Sequence, residues 1–266
     1  MMLNNLIKTG STLLSNYEVL KLDGDIERVE DCLQGQVTSD INDLANENAQ
    51  TSCLLDHKGF IQADFIIYRS KDVIYIIIES TLAEHLIDEL DQVIKFYQVK
   101  ITKTDEKVKG IVIKDGVDVE GSIYFKNNEF SLSIKLCAPN ENIKDSISFM
   151  EWKVFNKMLL NYVFVHTDIN KYRPNELNYD KSRVSFTKGC YKGQEIIARV
   201  NYLGVNRREF VSGLISKDLE IDSRLKIHGE ILEFSNKKIF STHLKRDESE
   251  TIVFESIDFI KYSNPS

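Results

Sequence analysis

Apolar and polar residues alternate over 17–22, and the alternation stops at Asp23-Gly24, the pattern of a strand and a turn. Asp25 is placed to cap a short helix on which Ile26, Val29 and Leu33 share one face, with Gly35 at its end. Two runs, 51–56 and 60–69, flank His57-Lys58-Gly59 and predict a hairpin. On its second strand Ile61, Ala63, Phe65 and Ile67 fall on one face, and Gln62, Asp64, Ile66 and Tyr68 on the other. The β-branched run over 73–79 predicts a buried strand. Thr81 and Glu84 have capping-box spacing, and behind them Leu82, Leu86, Leu90, Val93 and Ile94 form one helical face. A strand over 97–102 closes this unit. Short strands are expected over 111–137, a helix over 147–163, and a long loop over 164–187, of a length often found at functional sites. From Phe210 onward, short alternating runs between polar turns predict a small β-barrel or sandwich. The whole pattern is that of an α+β protein.

Composition narrows the function. A chain of 266 residues suffices for one large domain or two to three small ones, and 42% hydrophobic with 28% charged residues is ordinary for a globular protein. A net charge of −7 argues against a general nucleic-acid surface, although Lys and Arg thicken between Lys181 and Arg208 and leave room for a local basic pocket. The first residues lack the pattern of a secretory signal, and the apolar run over 73–78 is too short to span a bilayer, so no membrane role is expected. Cys32, Cys53, Cys137 and Cys190 are far apart, without a CxxC pair, which suits reduced thiols in the cytoplasm. The five histidines show no catalytic spacing.

The segment 186–200 carries the candidate chemistry. Gly189 and Gly193 bracket Cys190 and Tyr191, and Ile196, Ile197, Val200 and Leu203 then follow helical spacing. This predicts a tight turn feeding a helix with Cys190 near its start, where unpaired N–H groups and Lys188 and Lys192 favour a thiolate. The alternative is an inert, buried cysteine.

Lys188-Gly189-Cys190-Tyr191-Lys192-Gly193-Gln194-Glu195 resembles the signature of the YgfZ family, many of whose members carry Thr at the place of Lys192. Further segments resemble that family in the same order: Leu33-Gln-Gly-Gln-Val-Thr-Ser-Asp-Ile41, Cys53-Leu-Leu-Asp-His-Lys-Gly59, Arg173-Pro174 with Asn178, Tyr202-Leu-Gly204 and Arg207-Arg208. The resemblance implies the three-module ring of the glycine cleavage T-protein. Residues 1–45 with 141–203 would form a discontinuous first module, 46–140 the second, and 204–266 a C-terminal β-barrel.

The resemblance also implies a cofactor, tetrahydrofolate or a one-carbon derivative. Tyr17 and Trp152 occupy the places of aromatic residues beside the folate, Asp64 or Glu195 would meet the pterin edge, and Cys190 would be the acting residue. Each has a plain alternative: core aromatics for Tyr17 and Trp152, a solvent-facing acid for Asp64, a helix-capping charge for Glu195. T-proteins carry an acidic pair where this chain has Ala63-Asp64. The function implied is an accessory role in iron–sulfur cluster assembly or repair, and through it in cluster-dependent tRNA modification, with iron–sulfur proteins or assembly factors as partners and direct tRNA contact left open. An aminomethyltransferase or a folate-binding scaffold without chemistry are the alternatives.

Overall fold

The strand predicted at 17–22 forms as β2 (Tyr17–Asp23), near the middle of the protein's largest sheet. In the computed structural model, which describes residues 7–114, 121–127, 129–204, 208–245, 254 and 256–262, it pairs antiparallel with β5 (Val73–Glu79) and β6 (Lys100–Lys103). The predicted hairpin, β3 (Ala49–Leu55) and β4 (Ile61–Ser70), completes the order β3-β4-β5-β2-β6. A second antiparallel sheet has the order β1-β7-β9-β8, from β1 (Gly10–Leu13), β7 (Lys107–Lys114), β8 (Ser122–Lys126) and β9 (Phe130–Cys137). The described part of the C-terminal region forms an open sheet, β11-β12-β10-β13, from β10 (Arg208–Ser216), β11 (His228–Phe234), β12 (Lys237–Lys245) and β13 (Asp258–Ile260).

Period-two patterning decides how the layers stack. On β4, Ile61, Ala63, Phe65 and Ile67 point into a core shared with the two helices α1 (Ile26–Gln34) and α2 (Ser80–Tyr97). Ile66 and Tyr68, on the opposite face, point into a second core shared with the β1-β7-β9-β8 sheet and α3 (Phe149–Met158). The five-stranded sheet is thus buried on both sides, which explains its near-continuous apolar strands. Leu214, Leu232 and Ile239 extend the second core to the C-terminal sheet, whose other face has a small core around Val211, Phe240 and Leu244.

The expected module boundary at residue 45 is bridged by strand pairing. β1 pairs with β7, and β2 with β5 and β6, so strands from before that position complete both sheets.

Three predicted helix limits are corrected. Glu79, not Thr81, caps α2; its carboxylate accepts from the Thr81 N–H at 2.9 Å. That helix runs on to Tyr97 and ends at left-handed Gln98, which delays the next strand to Lys100. The helix expected over 147–163 stops at Met158. The Asn156 side chain bonds to the Trp152 carbonyl at 2.8 Å and the Asn161 side chain to Asn156 at 2.6 Å, while Leu160 turns left-handed at φ 60°. Asparagine side chains that compete for backbone partners end helices in this way.

Candidate functional site

The glycine-bracketed turn is built by contacts among segments that are remote in sequence. Lys188 is buried and its Nζ donates to the carbonyls of Val37 at 2.9 Å and Ser39 at 2.7 Å. Burial pushes its pKa down to about 8. Thr38 ties the same strip to the long loop, donating from Oγ1 to the Arg183 carbonyl at 2.7 Å and accepting from the Ser185 N–H at 2.9 Å. Gly193 has φ 83°, and a Cβ there would lie 2.5 Å from the Asp56 carbonyl oxygen, so only glycine fits against the hairpin turn. Segments 33–41, 53–59 and 188–195 therefore meet in one place. Cys190 projects from it, exposed, whereas Cys32, Cys53 and Cys137 are buried.

The surroundings of Cys190 differ from the expected electropositive helix start. The helix α4 (Gln194–Leu203) has Gly193 as its N-cap, so Cys190 lies before its first turn. Lys188 spends its charge on two carbonyls, and Lys192 pairs with Glu89 on α2 at 2.9 Å. Exposure distinguishes this thiol from the three buried ones.

A second cluster lies between the sheets. Asp64 on β4 accepts from Arg183 Nε at 2.6 Å and Nη2 at 3.2 Å, and from the Tyr179 hydroxyl at 2.9 Å. Arg183 also donates to Asn161 at 2.6 Å and stacks 3.5 Å from the Tyr179 ring centre. Burial opposes its charge, but Asp64 more than compensates and raises its pKa. Tyr17, Glu79, Tyr124, Asn161 and Tyr162 join Asp64 and Arg183 around a chamber of about 20 Å³, room for roughly one water. Burial, with Asp64 and Glu79 nearby, raises the Tyr17 pKa and keeps the phenol neutral.

Tyr162 and Val163 also line a much larger cleft of about 750 Å³, lined further by Lys153, Lys157, Lys171 and Lys226 and by the carboxylates Asp168 and Glu230. Lys157 is buried against Ser241, and burial lowers its pKa to about 8. Tyr172 forms the wall between this cleft and another of about 440 Å³. Behind that wall runs a hydrogen-bonded chain. His243 Nε2 lies 2.6 Å from the Glu176 carbonyl, His243 Nδ1 2.8 Å from His228 Nε2, and His228 Nδ1 2.8 Å from the Tyr172 hydroxyl. The terminal carbonyl only accepts, so His243 donates to it, His228 donates to His243, and Tyr172 donates to His228.

The expected site residues are divided among these places. Tyr17 and Asp64 share the inner chamber. Trp152 is buried in the second core, against Gly110, and lines none of the three cavities. Glu195 is exposed in the first turn of α4, and Gln194 opens that helix. Tyr191 is buried in the first core with its hydroxyl unpartnered, and Gly189 is exposed with open space around it. Arg207 lies outside the described residues. Sequence reasoning missed Arg183, Tyr124, Tyr162, Tyr172 and the His228–His243 pair; the signals were the length of the loop that contains Tyr172 and Arg183 and the thickening of Lys and Arg that begins at Lys181.

No family model matches the chain. It is similar to the tRNA-modifying protein YgfZ of Vibrio atlanticus (strain LGP32), 25% identical over 249 residues that cover 84% of this chain and 75% of that protein. An uncharacterized protein of Haemophilus influenzae is 27% identical over 209 residues, 73% of this chain and 70% of that one. Among solved structures, the glycine cleavage system aminomethyltransferase T from Bartonella henselae superposes with a TM-score of 0.63 over 91% of this chain and 80% of that chain, at 10% identity. The chain therefore has the T-protein fold, and the resemblance to YgfZ extends over most of its length.

Proposed function

We propose that this protein binds a reduced folate, tetrahydrofolate or a one-carbon derivative. With it the protein supports iron–sulfur cluster assembly or repair in the cytosol, and through that cluster-dependent tRNA modification. The similarity to proteins named tRNA-modifying protein YgfZ and the T-protein fold support this reading. The observation that carries it is the cleft of about 750 Å³, which falls within the ~300–1,000 Å³ range of small-molecule sites. It offers Tyr162 and Tyr172 as flat faces and Lys171 and Lys226 for the carboxylates of a glutamate tail, while Lys153 pairs with Glu230 at 2.6 Å and Lys157 is buried against Ser241. The inner chamber behind Tyr162 offers Tyr17, Tyr124 and one remaining acceptor position on Asp64, but must open to admit a pterin.

Cys190 would act on a partner. A single thiolate cannot hold a cluster, so a cluster here would be shared with another protein. An aminomethyltransferase is the second reading, favoured by the fold; against it, the neighbour of Asp64 is Ala63, fully buried on the helix-side face.

The test is a thermal melt with tetrahydrofolate. A ligand at one hundred times its Kd stabilises the folded state by about 2.7 kcal/mol, so a rise of roughly 5 °C or more is expected. No rise at millimolar folate would remove the folate reading.

A further inference from the structure

Lys157 sits on α3 where that helix meets the C-terminal sheet, and it lines the cleft of about 750 Å³. The residue is only 8% exposed. Its backbone is pinned, since Ser212 Oγ on β10 donates to the Lys157 carbonyl at 2.7 Å. Its side chain makes one hydrogen bond, from Nζ to Ser241 Oγ on β12 at 3.2 Å, and no ion pair among the described residues. An ammonium has three donors to satisfy, and two of these find no partner among the described residues. A neutral amine needs fewer partners and keeps a lone pair, so the site suits the free base better than the cation.

The charges nearby agree with this. Burial lowers the Lys157 pKa to about 8; Glu230 opposes the shift and Lys153 adds to it. Lys153, one turn earlier on α3, is committed to Glu230 on β11 at 2.6 Å. Both line the large cleft, so the amine lies within reach of the charges of that cleft. His228, also on β11, is pushed down to about 4, first by burial, and brings no charge at neutral pH. Lys188 shows the contrasting case. Burial lowers its pKa to about 8 as well, but its Nζ donates to two carbonyls and it lines none of the three cavities.

We propose that Lys157 is a nucleophilic amine that forms an imine with a small aldehyde admitted by the large cleft. The nitrogen lone pair bonds to the carbonyl carbon, and the C=O π electrons move to oxygen. One nitrogen proton passes to that oxygen, with the Ser241 hydroxyl placed to accept and donate in turn. The resulting carbinolamine loses its hydroxyl together with the second nitrogen proton as water, and the C=N bond forms. Burial of the lysine sets the size of the partner, because only a compact electrophile reaches the nitrogen. Aldehyde capture goes beyond the folate reading and stands without it.

The experiment treats the full-length protein at pH 7 with limiting formaldehyde and cyanoborohydride, which reduces an imine to a stable N-methyl amine. Peptide mass spectrometry reads each lysine. An amine of pKa about 8 is neutral about two-hundredfold more often at pH 7 than an unperturbed lysine. Burial slows entry, so Lys157 should label about tenfold faster than Lys171 and Lys226, the exposed lysines of the same cleft. Lys188 should stay unlabelled. Acetaldehyde should show the same preference and benzaldehyde none. Lys157→Met should remove the fast label and leave that on Lys171 and Lys226 unchanged. Lys157 unlabelled, or labelled no faster than Lys171 and Lys226, overturns the proposal. Equal labelling of Lys157 and Lys188 also overturns it, because opening of the core would then expose both. A fast label that persists in Lys157→Met assigns the chemistry to another lysine, and fast labelling of Lys157 by benzaldehyde refutes the limit on size.

Discussion

Asp64 and Cys190 are treated in opposite ways by the same fold. The carboxylate is enclosed: three hydrogen bonds from Arg183 and Tyr179 converge on it between two layers. The thiol stands in the open on a turn held on either side, Lys188 bonding to two carbonyls, Lys192 to Glu89, and Gly193 packing against Asp56. Both were candidate site residues on the strength of their positions in the chain. The difference teaches that a residue the fold depends on and a residue the fold merely presents need different experiments.

The largest effect belongs to Asp64. Asp64→Asn removes the charge that faces a buried guanidinium and leaves Arg183 with neutral partners only. Breaking one side of a buried pair costs about 3–5 kcal/mol, and the retained carbonyl of asparagine places the expected loss near the lower end, about 3 kcal/mol. The check is urea unfolding of the single variant and of Asp64→Asn combined with Arg183→Gln. The double variant should recover part of the loss, because the uncompensated charge is gone. A single variant as stable as the parent would place Asp64 among merely presented residues, and any change in its folate affinity could then be read directly.

The sequence showed the hairpin and its two faces because strand periodicity is local, and both faces of β4 find the partners the alternation demands. It showed the turn around Cys190 because glycine spacing is local too. Trp152 lies in the second core, as its plain alternative of a core aromatic had it, and its neighbours there were not legible. Its helix was expected to run past Met158, and nothing near it in sequence indicates that Gly110, on another element, leaves a space that its ring fills. Arg183 was invisible as the partner of Asp64 because the two are 119 positions apart and the pair exists only once the long loop crosses the sheet. The histidine chain is legible only from the pairing of β11 with β12. Contacts that depend on register or on loop placement are set by the tertiary fold, and one sequence holds no trace of them.

A middle-sized effect sharpens the contrast among the thiols. Burial raises the pKa of Cys53 to about 12 and those of Cys32 and Cys137 to about 11, from a starting value of 9.0. A folded-state pKa above the unfolded value means that the unfolded chain loses its proton first. The stability these thiols contribute is fully present below pH 9 and is lost as pH rises toward 11–12. Over the first pH unit above 9 each costs about 1 kcal/mol. Urea unfolding under reducing conditions at pH 8 and pH 10 should show Cys53→Ala losing about 1 kcal/mol less than the parent across that interval. Equal losses in the two proteins would mean that Cys53 is not held protonated by the fold.

The smallest effect on stability is expected where the effect on function is greatest. Cys190 is exposed, its side chain makes no hydrogen bond among the described residues, and Lys188 and Gly193 hold the turn. Cys190→Ser exchanges one small exposed side chain for another, and such surface changes stay within about 0.5 kcal/mol. Tyr162, Tyr172 and the lysines of the large cleft are untouched, so on the proposed reading tetrahydrofolate affinity should match the parent. In native protein an alkylating reagent should label Cys190 ahead of the three buried thiols, by peptide mass spectrometry, since the others become reachable only through opening of the core. If the thiol acts on a partner's cluster, the stable, folate-binding Cys190→Ser protein should nevertheless fail to restore cluster-dependent tRNA modification in a strain that lacks the parent. Full restoration would show that the exposed thiol is only presented, and the acting group would then have to be sought in the large cleft, beginning with buried Lys157, whose pKa burial lowers to about 8.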